Sequence, residues 1–278
     1  MNKKPIISAV INTLNEESNI DACLRALQWC DEIIVVDMES DDSTTTIVRQ
    51  YTNKIFSFKR VGCVEPARSF AVSQATGDWI LIVDADELIK YSLSEKLVKV
   101  ASEDQYEVVY IPFKTYILGE WIRHTGWWPE YHPRFFKKGF LDFSDQIHSA
   151  FEIKHEARSF HLPPKAENAV EHFAYLDSEH FISKLNRYTS FEARNMFDQG
   201  KHFSLFRMLV AGFRGFQVRY ISQKGYKDGY RGFFLSLMMG FYRILNYIKL
   251  WEFWQNKDES VENKYLKLKE KIIKEYSE

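Results

Sequence analysis

Residues 1–105 predict an α/β fold of the doubly wound kind, a mostly parallel sheet with flanking helices. Three observations carry that expectation. Short β-branched apolar runs alternate with segments of helical apolar spacing, the arrangement formed when parallel strands are joined by crossover helices. Two of the runs, Ile33 to Val36 and Trp79 to Val83, are apolar throughout, as strands buried on both faces are. Clusters of Asn, Asp and Glu follow the runs directly, at the strand ends where open α/β sheets bind their ligands.

Ile6 to Ile11 is the first strand, followed by a turn over Asn12 to Glu17 and a helix with the apolar face Ile20, Cys23, Leu24 and Leu27. Ile33 to Val36 is the second strand. The polar loop Asp37 to Ser43 then leads into a helical stretch, Thr44 to Tyr51, and Ile55 to Phe58 is a shorter third strand. Ala67 to Ala75 is helical, Gly77 stops it, and Trp79 to Val83 is the fourth strand. Beyond residue 105, Val108 to Phe113 could continue the sheet. The stretch FKTYILGEWIRHTGWWPEYHPRFF after it reads as a loop whose Trp, Tyr, His and Arg line a binding site. From Ser178 onward the pattern is helical, with no proline after Pro164 and a long basic, aromatic tail.

With 278 residues, 45% of them hydrophobic and 16% aromatic, the chain can bury one large core or a core and an appendage, which excludes a disordered or fibrous protein. Cys23, Cys30 and Cys63 have neither an even count nor metal-ligand spacing, so they read as reduced core residues. The apolar run from Ile6 is too short for the core of an export signal, and the expected location is the cytoplasm. A net charge of −1 conceals a polarity: residues 1–105 hold 17 Asp/Glu against 11 Lys/Arg, whereas residues 201–250 hold nine Lys/Arg against Asp228 alone. The two ends therefore face different partners.

Three strands end in residues suited to chemistry: the first in Asn12 to Glu16, the second in Asp37 to Asp42, the fourth in Asp84, Ala85 and Asp86. They can converge on one crevice. A turn after the fourth strand can bring its carboxylates to one hard divalent cation, which favours oxygen ligands and could in turn clamp a diphosphate.

In chain order, TLNEE (13–17), EIIVVDMESDDST (32–44), ARSFAVSQATGDWI (67–80) and DADE (84–87) each fall at a strand–helix junction. Together they resemble the family 2 glycosyltransferases, whose GT-A fold binds a nucleotide-sugar with these segments. GEWIRHTGWWPEYHPRFF (119–136) and KGYKDGYRGFF (224–234) are similar to a narrower branch, the lipopolysaccharide-core β-1,4-glucosyltransferase-like proteins. The resemblance implies a GT-A catalytic domain over 1–177, with a nucleotide-sugar half (1–105) and an acceptor-side half (106–177), and a helical region over 178–278. It implies Thr13, Asn15 and Glu16 as the first nucleotide-contacting loop, Asp37 as the residue that receives the base, and Arg68 and Arg134 near the donor phosphates. Asp84 and Asp86 match the metal motif, Asp86 for direct ligation and Asp84 for ribose or metal contact. His148 matches a histidine that helps hold the metal, Mg2+ or Mn2+, or the diphosphate. Three positions depart from the family pattern: Ser69 replaces an asparagine, Met38 an aspartate and Glu39 a glycine.

An inverting sugar transfer needs a carboxylate to take the proton from the acceptor hydroxyl. Glu130 occupies about the position where the family places it, although the usual acidic pair is absent, and Asp145 is the reserve. The implied function is metal-dependent transfer of a sugar, from a UDP-hexose, to a lipid-linked saccharide of the lipopolysaccharide-core kind. The alternatives are a polyprenyl phosphate, capsule or glycoprotein acceptor, or a degenerate protein that binds the donor without transferring it.

The tail over 203–254 interleaves Phe, Tyr, Leu and Trp with Arg and Lys, and its longest run without charge, Gly232 to Tyr242, falls short of the ~20 residues a spanning helix needs. Two readings stay open for it: a basic amphipathic surface on an anionic membrane, holding the enzyme peripherally on the inner face of the cytoplasmic membrane, or a subdomain packed on the core. Nucleic acid is not an expected partner, because the charge lies among large aliphatics rather than on a solvated patch.

Overall fold

A computed structural model describes residues 4–60, 65–142 and 151–276. Contacts divide the chain into two units, residues 1–123 with 127–174 and residues 124–126 with 175–278.

The first unit runs β1 (Ile7–Thr13), α1 (Ile20–Arg25), β2 (Glu32–Asp37), α2 (Thr44–Val48), β3 (Ile55–Ser57), α3 (Glu65–Gln74), β4 (Trp79–Asp84), β5 (Glu87–Leu88) and α4 (Tyr91–Glu103). It continues through β6 (Val108–Ile117), β7 (Glu120–Trp121), β8 (Glu130–Lys137), β9 (Leu141–Asp142), β10 (Glu152–Ile153), β11 (Ser159–His161) and β12 (Val170–Tyr175). The main sheet has the order β3-β2-β1-β4-β8-β6-β12-β5, with β7 and β11 added on β6. β1, β2, β3 and β4 are parallel, whereas β8 runs antiparallel to both β4 and β6, and β12 antiparallel to β5.

Alternation along β1 explains the two cores. Ile7, Ala9 and Ile11 point to one face, where Ile20, Leu24 and Leu27 of the α1 segment and Leu93 and Leu97 of α4 cover them. Val10 points to the other, with Ile34, Ile80 and Ile82, beneath Ala71 and Ala75 of the α3 segment. Both faces are buried, which is why these strands read as continuous apolar runs. Gly77 lets the chain enter β4: a Cβ there would stand 2.5 Å from Ser8 Oγ and 2.8 Å from the Ile6 carbonyl.

Three expectations change at this level. The first strand extends to Thr13, so Asn12 and Thr13 belong to the strand rather than to the turn. The helix after the polar loop stops at Val48. The aromatic stretch expected as a loop is largely paired strand, with β6 reaching Ile117, turning into β7 and returning as β8. Pro112, Pro133 and the crowded aromatics hide its alternation. Pro133 is tolerated opposite Tyr110, where the register shifts and the ladder is already broken.

The second unit is helical: α5 (Ser178–Asp198), α6 (Leu205–Gln217), α7 (Gly229–Gln255) and α8 (Val261–Lys274). Asp177 caps α5 by accepting from the His180 N–H, and Ser204 caps α6. α6 and α7 cross closely because both carry glycine at the contact. A Cβ on Gly212 would lie 2.6 Å from Ile244, and one on Gly240 would lie 2.9 Å from the Gly212 carbonyl. Cys23 is buried and Cys30 half-buried, both unpaired, and burial pushes both thiols above their usual range; Cys63 lies outside the described residues.

Candidate active site

The parallel register sets the first layer of the site. Asn12 stands beside Asp84 across β1 and β4, and Thr13 beside Asp37 across β1 and β2. Asp37 is tied into its own turn, its carboxylate accepting from Ser40 N–H (3.0 Å) and Ser40 Oγ (2.6 Å). Asn15 adopts a left-handed φ of 56°, which Asn tolerates, and its Oδ1 accepts from the Asp41 N–H at 2.9 Å. Glu16 accepts from Asn19 Nδ2 at 2.8 Å, while its N–H donates to Thr44 Oγ1. Glu39 also has a positive φ, 60°, so it keeps the backbone conformation of the glycine that the family resemblance leads one to expect there. Met38 is buried, and its N–H donates to the Thr13 carbonyl.

Several buried polar atoms in this layer have no hydrogen-bond partner among the described residues: both side-chain atoms of Asn12, Thr13 Oγ1, Arg68 Nε and Arg134 Nη1. Folded proteins leave few such groups unsatisfied, so Asn12 and Thr13 at the end of β1 and the two arginines paired with Asp84 make a candidate place for a polar ligand.

The second layer is ionic. Arg68 Nη2 donates to Asp84 Oδ1 and Arg134 Nη2 to Asp84 Oδ2, each at 2.7 Å; Arg134 also reaches Glu87 Oε1 at 2.9 Å. Burial opposes charge on Asp84, but the two guanidiniums outweigh it and hold the carboxyl well below the usual carboxylate range. Glu87 differs. Burial, only partly opposed by Arg134, and the neighbouring Asp84 and Asp86 push it up to about 7. Burial also disfavours a charged His172, but Asp86, Glu87 and Asp84 overcome this and raise its pKa above the ordinary value.

Asp86, Glu87 and His172 each place a ligand atom within 4.8 Å of the others. The geometry comes from the β5–β12 pairing, which sets His172 opposite Glu87, and from the Phe173 N–H donating to the Asp86 carbonyl at 2.9 Å. Two carboxylate oxygens and an imidazole nitrogen form a donor set that suits a divalent cation of the Mg2+ or Mn2+ kind. Of the expected ligands, Asp86 is in this cluster, Asp84 is engaged by two arginines, and His148 lies outside the described residues.

β8 supplies the third layer. Glu130, His132 and Arg134 alternate onto one face of the strand; Glu130 Oε1 lies 3.6 Å from His132 Nε2, and both side chains are about half exposed. Phe113, opposite Glu130 in the register, is the shared floor. Its ring meets His132 edge-on at 4.7 Å, His172 at 5.9 Å and the Arg134 guanidinium at 5.3 Å. The reserve base Asp145 lies outside the described residues. Phe113, His132 and His172 were not singled out from sequence, and Glu87 was noted there only as part of the carboxylate cluster, without a role. The available signal was weak, an alternating VEHFAY strand in which His172 is one polar residue among several.

Polar atoms without a partner among the described residues, beside a cluster that could hold a cation, mark a candidate ligand site in an α/β unit. Residues 8–160, more than half of the chain, match the family model described as Glycosyl transferase family 2, and the chain belongs to that family. It is a glycosyltransferase with the GT-A fold and a helical C-terminal region. It is 28% identical over 257 residues to an uncharacterized glycosyltransferase of Rickettsia felis, covering 88% of this chain and 89% of that one. It is 25% identical over 260 residues to the lipopolysaccharide core biosynthesis glycosyltransferase LpsC of Rhizobium meliloti, covering 88% and 92%. Among solved structures, S. aureus TarS 1–349 in complex with UDP aligns over 91% of this chain and 92% of that one, at 17% identity and a TM-score of 0.48. No helix among the described residues is long and apolar enough to cross a membrane.

Proposed function

We propose that the protein is a metal-dependent, inverting glycosyltransferase that moves a hexose from a UDP-sugar to a lipid-linked saccharide of a bacterial surface glycan, of the lipopolysaccharide-core kind. The observation that carries the reading is the juxtaposition of the Asp86, Glu87 and His172 cluster with Asp84 and its two arginines, in a family 2 glycosyltransferase. The similarity to LpsC along most of both chains supports the acceptor class.

Asp86, Glu87 and His172 would hold the divalent cation, which when bound supplies charge stabilisation to a departing diphosphate. Arg68 Nε and Arg134 Nη1 have no partner among the described residues and would donate to phosphate oxygens. Asp84 orients both guanidiniums and contacts the ribose side of the donor. Thr13, Asn15, Glu16 and Asp37 receive the nucleotide. Glu130 takes the proton from the acceptor hydroxyl, with His132 beside it to share the charge. An acceptor sugar would stack on the Trp121–Trp128 pair, 5.3 Å apart, where Arg123 lies 4.4 Å over the Trp121 ring. In this reading residues 1–177 are the catalytic domain, and residues 178–278 hold the enzyme peripherally on the inner face of the cytoplasmic membrane.

Mass spectrometry of surface glycolipids from a deletion strain tests the reading. A truncated glycolipid lacking one hexose, restored by the purified enzyme with UDP-hexose and Mg2+ or Mn2+ and blocked by EDTA, is the expected result. An unchanged glycolipid profile would move the acceptor to another class. Donor binding without transfer or hydrolysis on any acceptor would make the protein a degenerate binder.

A further inference from the structure

We propose that the exposed apolar stripes of α6 and of the first half of α7 are a docking surface for an anionic lipid bilayer. The inference rests on the peripheral-membrane part of the proposed function and assigns it to particular side chains.

α6 is inverted relative to an ordinary surface helix. Its one fully buried residue is Gly212, at the crossing with α7, while Phe206 is 76% exposed, Leu209 56% and Phe213 68%. Their spacing of three and four residues aligns them in one stripe that faces solvent, where an amphipathic helix normally places charge. α7 carries a stripe of its own: Tyr230, Phe234 and Leu237 are all exposed at the same spacing. Scattered exposed apolar residues are common, but a contiguous stripe of large ones marks an interaction surface.

Charge selects the occupant. Arg207, Arg214, Lys227 and Arg231 are exposed on the same segment. The lone acid between residues 201 and 250, Asp228, is withdrawn: its carboxylate accepts from the His124 N–H at 2.9 Å and Thr125 Oγ1 at 2.8 Å and meets His124 Nδ1 at 3.0 Å. The segment is thus apolar and positive with no outward negative charge. A second copy of the same face would bring like charge against like charge, whereas an anionic bilayer offers both an apolar interior and negative headgroups. The structure also separates the basic residues by role. Lys249 donates to Asn186, Thr189 and Ser190 and so ties α7 to α5, and Arg243 comes within 3.8 Å of Glu192 in the same unit.

Flotation of the full chain with phosphatidylglycerol/phosphatidylethanolamine vesicles tests the inference, with light scattering and UDP-glucose binding measured on the same samples. Wild type should float with these vesicles at low salt, less at high salt, and hardly at all with phosphatidylcholine alone. Phe206→Ser, Leu209→Ser and Phe213→Ser together should cut the bound fraction about tenfold with circular dichroism and UDP-glucose binding unchanged, since the replaced side chains are exposed. Arg207→Glu with Arg214→Glu should abolish the salt dependence. Wild type that stays in solution with anionic vesicles overturns the proposal, as does a triple variant that floats like wild type. A wild-type dimer that the triple variant converts to monomer also overturns it, because a second copy would then cover the face. Wild type that floats without binding UDP-glucose upholds the docking surface while counting against the proposed donor.

Discussion

The two units use burial in opposite ways. In the sheet unit apolar residues are withdrawn from water and the burial is turned on carboxylates: Glu87 is 1% exposed and pushed up to about 7, while Asp84 is pinned as an anion between two arginines. In the helical unit the closest packing is between glycines, and large aromatics such as Phe206 are left in solvent. The first arrangement sets the charge state of its carboxylates, since a low-dielectric setting magnifies every ionic contact. The second leaves large apolar side chains in water, the surface proposed above to meet a bilayer. Residue type alone therefore does not fix a residue's place; what it is packed against does.

The contrast breaks most sharply at Asp86. Asp86→Ala should abolish transfer, by at least ~10³-fold, and remove metal-dependent donor binding with the fold intact, and EDTA should reproduce both effects on wild type. Steady-state rates and donor titrations with and without metal check this; unchanged turnover that still needs metal removes Asp86 from the site. Next in size, Glu130→Gln keeps shape but cannot accept a proton, so turnover should fall on the order of 10²–10⁴-fold with donor affinity nearly unchanged. Near-wild-type rates in that variant beside an inactive Asp145→Asn would transfer the role of base to Asp145.

A stability measurement sharpens the same comparison. Arg134→Met leaves Asp84 and Glu87 without their shared guanidinium and should cost about 3 kcal/mol in urea unfolding, part of which Glu87→Gln in the same chain should restore. Variants of the exposed α6 stripe should barely move the midpoint. The smallest effect concerns Glu32. Burial raises its pKa, but Lys54, Ser8 and Thr76 outweigh that and hold it at about 2, below the ordinary 4.5. Its folded-state pKa is depressed, so its contribution is complete above pH 4.5 and is lost as pH falls toward 2. Thermal melts across that window should show a loss of roughly 2 kcal/mol, which Glu32→Gln flattens.

Much of the sheet unit was legible because its signals are local. Unbroken apolar runs, Gly77 before β4 and the polar strand ends of β1, β2 and β4 each follow from a few adjacent residues, and the parallel register then brings Asn12 to Asp84 and Thr13 to Asp37. The aromatic hairpin was less legible, since Pro112, Pro133 and bulky rings on both faces blur the alternation that identifies a strand.

By itself the sequence determined the α/β class, the order of the first strands and the helical and basic character of the C-terminal region, and it pointed to the carboxylates from Asp84 to Glu87 as a candidate chemical centre. Only the tertiary structure decided which partners those carboxylates take. Arg134 meets Asp84 and Glu87 because β8 runs antiparallel beside β4. His172 joins Asp86 and Glu87 because β12 closes on β5. It also decided that the apolar stripe of α6 faces outward, because Gly212 and Gly240 let the opposite face of that helix do the packing. Periodicity is written by neighbours in the chain, whereas a cluster of charges or an exposed stripe depends on which distant segment arrives beside it.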